Sequence, residues 1–346
     1  MSITRRQILQ MVGAGIVATQ VPLVRSSGIF GKAPLKPPRL KPGDTIGLVN
    51  PAGATFHPDD VAIATETLAA LGLKTKAGVH LLDRKGSFAG TDQARADDVN
   101  AMFNDPEVDG IITLRGGWGC NRILHLLDYK AIAKHPKIIM GYSDITSLLL
   151  AFNAKTSLVT FHGPVGVSTW NEYSTTFVKR LLFDAEAFTM ENPIDIGDNL
   201  TQTEDRIWTI SGGQATGKLL GGNLSVFTAM VGSDYLPDFK NNILFLEEVG
   251  EDVYRVDRML TQLKLAGILD DISGFVFGKC SNCDGNGDPV YTLEEVFDDH
   301  IKPLGIPAWY GSMIGHISDK FTIPLGIEAR IDADKGSITL LEPAVI

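Results

Sequence analysis

Between residue 44 and about residue 165 the chain alternates short apolar runs with amphipathic segments, and that alternation constrains its fold more than any other feature. Residues 45–49 read as a strand running into Asn50-Pro-Ala-Gly53. Residues 59–71 carry Val61, Ala64, Leu68 and Leu71 on one helical face, and Gly72 ends that helix. Residues 92–103 read as a second amphipathic helix, 110–114 as a buried strand, 121–127 as a short helix and 137–142 as another strand. Strands joined through helices must pair in parallel, so residues 44–167 are expected to form a Rossmann-like three-layer domain. Residues 168–206 are polar and weakly periodic, and read as a linker. Residues 207–346 hold short β-type runs at 218–220, 243–246, 274–277, 321–323 and 337–341, with helical stretches at 224–231 and 255–266. The expected fold is therefore α/β: the three-layer N-terminal domain followed by a smaller, β-rich α+β C-terminal domain.

Composition narrows the function classes. The 346 residues are 44% hydrophobic and 21% charged, which is globular, and the net charge is -10. No basic run occurs in the body of the chain, which excludes nucleic acid as a partner. Arg5-Arg6 before an apolar stretch at 11–24 reads as a twin-arginine export signal over residues 1–27, with a Pro- and Lys-rich spacer at 28–43. Export would place the protein in the periplasm, with no stable membrane association once the signal is removed. An uncleaved membrane anchor is the rival, although Gly13, Gly15, Gln20 and Pro22 make a poor span. Cys280 and Cys283 form a C-x-x-C that is weak for zinc and can close a small disulfide, while Cys120 stands alone.

Chemistry concentrates around Ser143. The run Ile138-Ile-Met-Gly-Tyr-Ser-Asp-Ile-Thr146 passes from a strand through a sharp turn into an apolar-periodic helix. A serine there can present its hydroxyl above the sheet beside unpaired helix N–H groups, the geometry of a nucleophile with half an oxyanion hole. The plainer alternative is that Ser143 or Asp144 caps the helix. A nucleophile needs a base and an orienting acid. His316, on the loop after Gly315, has the most suggestive setting among seven histidines, with His162 as its competitor. His57, His80, His125, His135 and His300 sit in solvated contexts. Glu247, delivered by four apolar residues to a strand end, is the candidate acid, because a carboxylate buried there must be paired. Glu248, Glu251 and Asp252 read as a solvated edge. Gly116-Gly117-Trp118-Gly119 lacks the spacing of a phosphate loop and fits an oxyanion turn better. Asp284, Asn286, Asp288 and Glu295 match some positions of a calcium loop, but Pro289 stands where glycine is needed.

These motifs resemble the LD-carboxypeptidase family, which comprises muramoyltetrapeptide carboxypeptidases and microcin-C immunity peptidases. The resemblance runs from about residue 43 to 343 through Phe88-Ala-Gly-Thr-Asp-Gln-Ala-Arg95, Arg115-Gly-Gly-Trp-Gly119, Gly141-Tyr-Ser-Asp144 and His162-Gly-Pro164. It continues through Gly221-Gly-Asn-Leu224, Leu246-Glu-Glu-Val249, Asp257-Arg-Met-Leu260, Gly315-His316 and Pro324-Leu-Gly326. It implies a serine peptidase with Ser143 as nucleophile, His316 as base, Glu247 as orienting acid, and the N–H groups of Gly117 and Asp144 as oxyanion hole. It also implies a homodimer, no metal or organic cofactor, and the stem tetrapeptide of peptidoglycan as substrate, cut before its terminal D-alanine. Arg115 is a candidate for the substrate carboxylate, Trp118 for stacking on a base if the substrate is a peptide–nucleotide antibiotic, and His162 a further candidate contact. A non-catalytic muropeptide binder is the remaining alternative. The apparent export signal and the Cys280/Cys283 segment depart from the family pattern.

Overall fold

The computed structural model describes residues 33–283 and 291–346. The signal, the start of the spacer, and Asp284, Asn286 and Asp288 of the acidic loop lie outside the described residues. Glu295 is described, and its carboxylate accepts from Thr292 N in a capping box rather than facing a metal.

In the first half the elements run β1 (Thr45–Val49), α1 (Asp59–Ala70), β2 (Lys74–Ala77), α2 (Asp92–Asn104), β3 (Gly110–Thr113), α3 (Tyr129–Lys134), β4 (Ile138–Gly141), α4 (Thr146–Thr156) and β5 (Thr160–His162). These strands lie side by side in the order β5-β4-β3-β1-β2, all parallel. Every residue of β3 and β4 is buried, the signature of a parallel sheet covered on both faces. The strand order reverses between β1 and β3, so the loops leaving those two strands border the crevice where such sheets bind ligands.

Three elements depart from the expected pattern. β2 is a half-exposed edge strand of sequence KTKA with no apolar alternation to betray it. Residues 120–126 form a 3₁₀ turn rather than an α-helix. The expected linker contains α5 (Glu172–Leu182), capped by Asn171 and burying Ser174, Val178, Leu181 and Leu182.

The second half comprises β6 (Thr189–Met190), β7 (Trp208–Ser211), β8 (Gln214–Asn223), α6 (Leu224–Thr228), β9 (Ile243–Val249), α7 (Val253–Leu265), β10 (Gly274–Ser281), α8 (Leu293–His300), β11 (Ala308–Tyr310), β12 (Ile323–Leu325), β13 (Glu328–Asp332) and β14 (Ser337–Leu340), with a further short helix at Ile268–Asp271. Among the described residues the second sheet has eight strands in the order β6-β14-β13-β8-β9-β10-β11-β7, parallel from β8 to β11 and antiparallel outside. β12 leaves that sheet and pairs antiparallel with β5 of the first, Ile323 opposite His162. Pro34–Ile346 accordingly form one compact unit. Among the described residues, no helix is long and apolar enough to cross a membrane.

The two sheets also meet where β8 ends. Asn223 N donates to Thr146 Oγ1 at 3.0 Å, and a Cβ on Gly222 would lie 2.5 Å from that same oxygen. Gly221, at φ 150°, passes so close to β9 that a Cβ would stand 1.7 Å from Phe245 O. Gly221→Ala should therefore break the β8–β9 register and sharply lower the melting temperature in circular dichroism. Gly232→Ala also has positive φ but meets open space, and should lose only about 1 kcal/mol. Equal losses in the two variants would refute the close-approach argument.

Candidate active site

The turn after β4 presents Ser143. Gly141 closes the strand, Tyr142 is extended, and Ser143 adopts φ 64° at the start of a short 3₁₀ turn, Ser143–Ile145, that runs into α4. A left-handed serine costs about 1–2 kcal/mol and persists only where its surroundings impose it. Here they do. A Cβ on Gly116 would fall 3.0 Å from Ser143 Cβ and 3.2 Å from its Oγ, so a side chain there would have to push the serine or the loop aside. The capping alternative fails, since neither Ser143 nor Asp144 makes a side-chain cap. Asp144 instead turns inward and accepts from Cys120 N at 2.7 Å; burial pushes its carboxyl up. That bond ties the Ser143 turn to the loop Arg115-Gly-Gly-Trp-Gly119.

The same loop is held from its far side by Arg95, whose side chain is fully buried. Its Nη1 donates to Gly119 O at 3.0 Å and to Pro51 O, and its Nη2 to Asp92 at 2.6 Å. Gly53 N adds a bond to Gly116 O at 3.3 Å. The loops after β1 and β3 are thus fastened together beside Ser143.

β9 carries the candidate acid. Glu247 is wholly buried, and its Oε2 lies 2.8 Å from His316 Nδ1. Gly315, at φ 132°, allows this approach: a Cβ there would be 3.1 Å from the carboxylate oxygen. The Tyr142 ring meets the His316 imidazole edge-on at 4.8 Å, so the residue before Ser143 packs directly on the histidine. Lys320 Nζ sits 4.5 Å over the other side of this group, on the Tyr142 ring, and burial lowers the lysine to about 8.

Several expectations are corrected. His162, the competing base and candidate substrate contact, is 2% exposed and packs against Tyr142 and Phe245, with neither ring nitrogen hydrogen-bonded. Burial lowers it to about 4, so it is neutral packing beneath the turn. Arg115 donates to Ala54 O at 3.1 Å and does not line the cleft beside Ser143. Glu248 is not solvated: it is 2% exposed and accepts from Asn223 Nδ2, Ser225 N, Ser225 Oγ and Val249 N. Glu251 and Asp252 do remain half-exposed, beside Arg255. His300 is buried and paired to Asp257 at 2.7 Å.

A cleft of about 390 Å³ opens at the serine. From the first half it is lined by Gly117, Ser143, Asp144 and the exposed Trp118, whose ring lies 5.0 Å from Phe88, with Arg122 beside them. From the second half come Asn223, Ser225, Glu248 and Glu251. His316 and Glu247 are not in this lining; they reach the turn through Tyr142. Sequence reasoning had singled out neither Asn223 and Ser225 nor Arg122 as site residues. The first two directly follow the Gly221-Gly222 pair, and that pair of adjacent glycines is the signal the sequence offers.

This arrangement has relatives. Residues 46–163 match the LD-carboxypeptidase N-terminal domain, and residues 216–331 match the LD-carboxypeptidase C-terminal domain. A Bacillus subtilis protein named "Probable murein peptide carboxypeptidase" is 36% identical over 312 residues, covering 88% of this chain and 93% of that one. The chain belongs to the LD-carboxypeptidase family. It is a peptidase of that family, and two solved members share its fold. Microcin C7 self immunity protein MccF, in complex with aspartyl sulfamoyl adenosine, superposes with a TM-score of 0.82 at 28% identity, over 90% of this chain and all (100%) of that one. Muramoyltetrapeptide carboxypeptidase from Oxalobacter formigenes gives 0.73 at 28% identity, over 86% of this chain and 97% of that one. The α/β reading, with its three-layer first half and β-rich second half, agrees with both.

The buried His162 makes stability depend on pH in a definite direction. Above its ordinary value of 6.5 it is neutral whether folded or not, and below that the unfolded chain takes up the proton first. Stability should fall as pH drops from 6.5 toward 4, by on the order of 2–3 kcal/mol from this residue. Urea unfolding at pH 7.5 and 4.5 should show that loss reduced in His162→Phe; an identical loss in both proteins would count against the assignment.

Proposed function

We propose that this protein is a serine LD-carboxypeptidase that releases the terminal D-alanine from peptidoglycan stem tetrapeptides. The observation that carries the proposal is the wholly buried Glu247 carboxylate, hydrogen-bonded at 2.8 Å to a histidine that packs on the turn of a left-handed serine. In this reading His316 takes the proton as Ser143 Oγ attacks the carbonyl of the third residue. Glu247 fixes the imidazole tautomer and stabilises the imidazolium that forms. The N–H groups of Gly117 and Asp144, both in the cleft lining, receive the developing oxyanion. D-Alanine departs with the proton from His316, and water then resolves the acyl-enzyme by the same route in reverse. The names of the murein and muramoyltetrapeptide relatives support this substrate class. Export through the twin-arginine signal would place the activity on periplasmic stem peptides, and a homodimer follows from the family resemblance.

A second reading has one observation in its favour. Trp118 is exposed in the cleft on top of Phe88, a stacking platform suited to a nucleobase, and the similar MccF structure holds aspartyl sulfamoyl adenosine. The murein-named relative is 36% identical to this chain against 28% for that structure, so the muropeptide leads.

Incubation with a muramyl tetrapeptide, followed by mass spectrometry, should detect free D-alanine with the wild type and none with Ser143→Ala. Cleavage of a peptidyl nucleotide alone would transfer the protein to the second reading. Binding of muropeptide without turnover would make it a binder. Glu247→Gln should keep the fold and lower kcat by a factor on the order of 10²–10⁴, since the amide holds the wrong tautomer. Unaltered kcat in a folded Glu247→Gln would remove Glu247 from the mechanism.

A further inference from the structure

Cys280 and Cys283 are joined in a disulfide, their Cα atoms 5.5 Å apart. The bond lies at the end of β10, where that strand is flanked by the backbone of β9 on one side and by the loop that carries His316 on the other. Cys280 and Ser281 pair with Glu248 and Val249, directly after Glu247, once the register has shifted past Phe277. On its other side the same segment touches the loop of the histidine at successive points. Gly278 approaches Ile314 so closely that a Cβ would lie 2.3 Å from its carbonyl oxygen. Lys279 N donates to Ile314 O at 2.9 Å, and Ser281 Oγ donates to His316 O at 3.2 Å. Ser281 O in turn accepts from Gly250 N at 2.8 Å. Ser281 therefore joins the end of β9 to the backbone of His316, and the disulfide brackets Ser281.

A ring closed between residues three apart removes little chain entropy from the unfolded state, so it adds little to global stability. Its effect is local. It holds the last turn of β10 in the one conformation that offers the Ser281 hydroxyl to His316 O. We propose that the Cys280–Cys283 disulfide, acting through Ser281, is a positioning device for His316, which makes the enzyme more active oxidised than reduced. The proposal rests on the triad reading given above. Reduction by a dithiol such as dithiothreitol delivers two electrons and two protons to the Cys280–Cys283 bond. The two thiols form, and the reagent closes to its own cyclic disulfide. The strand end is then free to turn, and the serine hydroxyl can leave the carbonyl.

The test uses the full chain as the oxidised wild type, the dithiothreitol-treated wild type, C280S/C283S, Ser281→Ala and Ser281→Thr. Two readouts separate positioning from function: amide hydrogen exchange across residues 312–318, and kcat and KM on the tetrapeptide. Opening the bond, or removing the Ser281 hydroxyl, should speed exchange in that loop and lower kcat by about tenfold with KM unchanged. The melting temperature should barely move. Ser281→Thr, which keeps the hydroxyl, should restore kcat, and dithiothreitol should do nothing further to C280S/C283S. Unchanged loop exchange on reduction would overturn the proposal. So would faster exchange spread through the whole chain with a large fall in melting temperature. If the oxidised wild type releases no D-alanine, the functional reading fails, and loop exchange by itself decides the positioning role.

Discussion

A carboxylate with no solvent contact has to be answered by its surroundings, and the burial of Glu247 organises much of this molecule. The side chain projects from β9, a central strand flanked by β8 and β10, so it has no route to water. Taking a charge out of water costs several kcal/mol unless it is paired and hydrogen-bonded. His316 supplies the hydrogen bond through Nδ1, which leaves Nε2 as the nitrogen available for chemistry. Beyond it, Lys320, itself buried and held above Tyr142, is a further cation that interacts with Glu247. His162 is also close, but burial keeps it uncharged. The acid thus feels one hydrogen-bonded imidazole and one cation at longer range, while a neutral histidine fills the space between.

Bringing that pair to a serine on another sheet requires backbones to approach more closely than side chains allow, and glycine is placed where they do. Gly116 lets its glycine-rich loop rest on Ser143, Gly222 lets β8 rest on Thr146, and Gly315 lets the histidine loop rest on Glu247. Each contact joins segments far apart in sequence. β12 reinforces the junction by crossing from the second half to pair with β5, directly beside His162. The site is therefore not a cleft between two independent bodies. It is built into a continuous unit whose geometry the two sheets share.

Most of the first sheet could be read from the sequence because its strands are apolar on both faces and its helices amphipathic. Ser143, Glu247 and His316 could be picked out for related reasons: a strand-to-helix turn, a carboxylate after Ile243-Leu-Phe-Leu246, and a histidine after glycine. What escaped had no local signature. β2 is polar because it is an edge. α5 hides in an aromatic-rich stretch whose buried face is set by Phe321 and its neighbours. Glu248 looked like the start of a solvated acidic run because sequence cannot show that Asn223 and Ser225, some 25 and 23 residues earlier, donate to it. Arg115 and His162 have no local signature for the places they take, Arg115 donating to Ala54 O and His162 filling the core, because residues suited to substrate contact are equally suited to holding a loop or packing.

The two glutamates at the end of β9 show how one strand serves two purposes. Successive side chains of a strand point to opposite faces, so Glu247 and Glu248 cannot share an environment. Glu247 faces the histidine. Glu248 faces the cleft, where four hydrogen bonds to Asn223, Ser225 and Val249 hold it in place while burial raises its pKa. Asn223 also caps α6 by accepting from Val226 N, and its own N–H donates to Thr146 Oγ1 across the sheet junction. The cleft lining is thereby rigid at the very residues that a substrate would meet, and this rigidity comes from the same β8–β9 pairing that carries the acid. The β8–β9 register thus positions both the Glu247–His316 pair and the Asn223–Glu248 contacts that line the cleft.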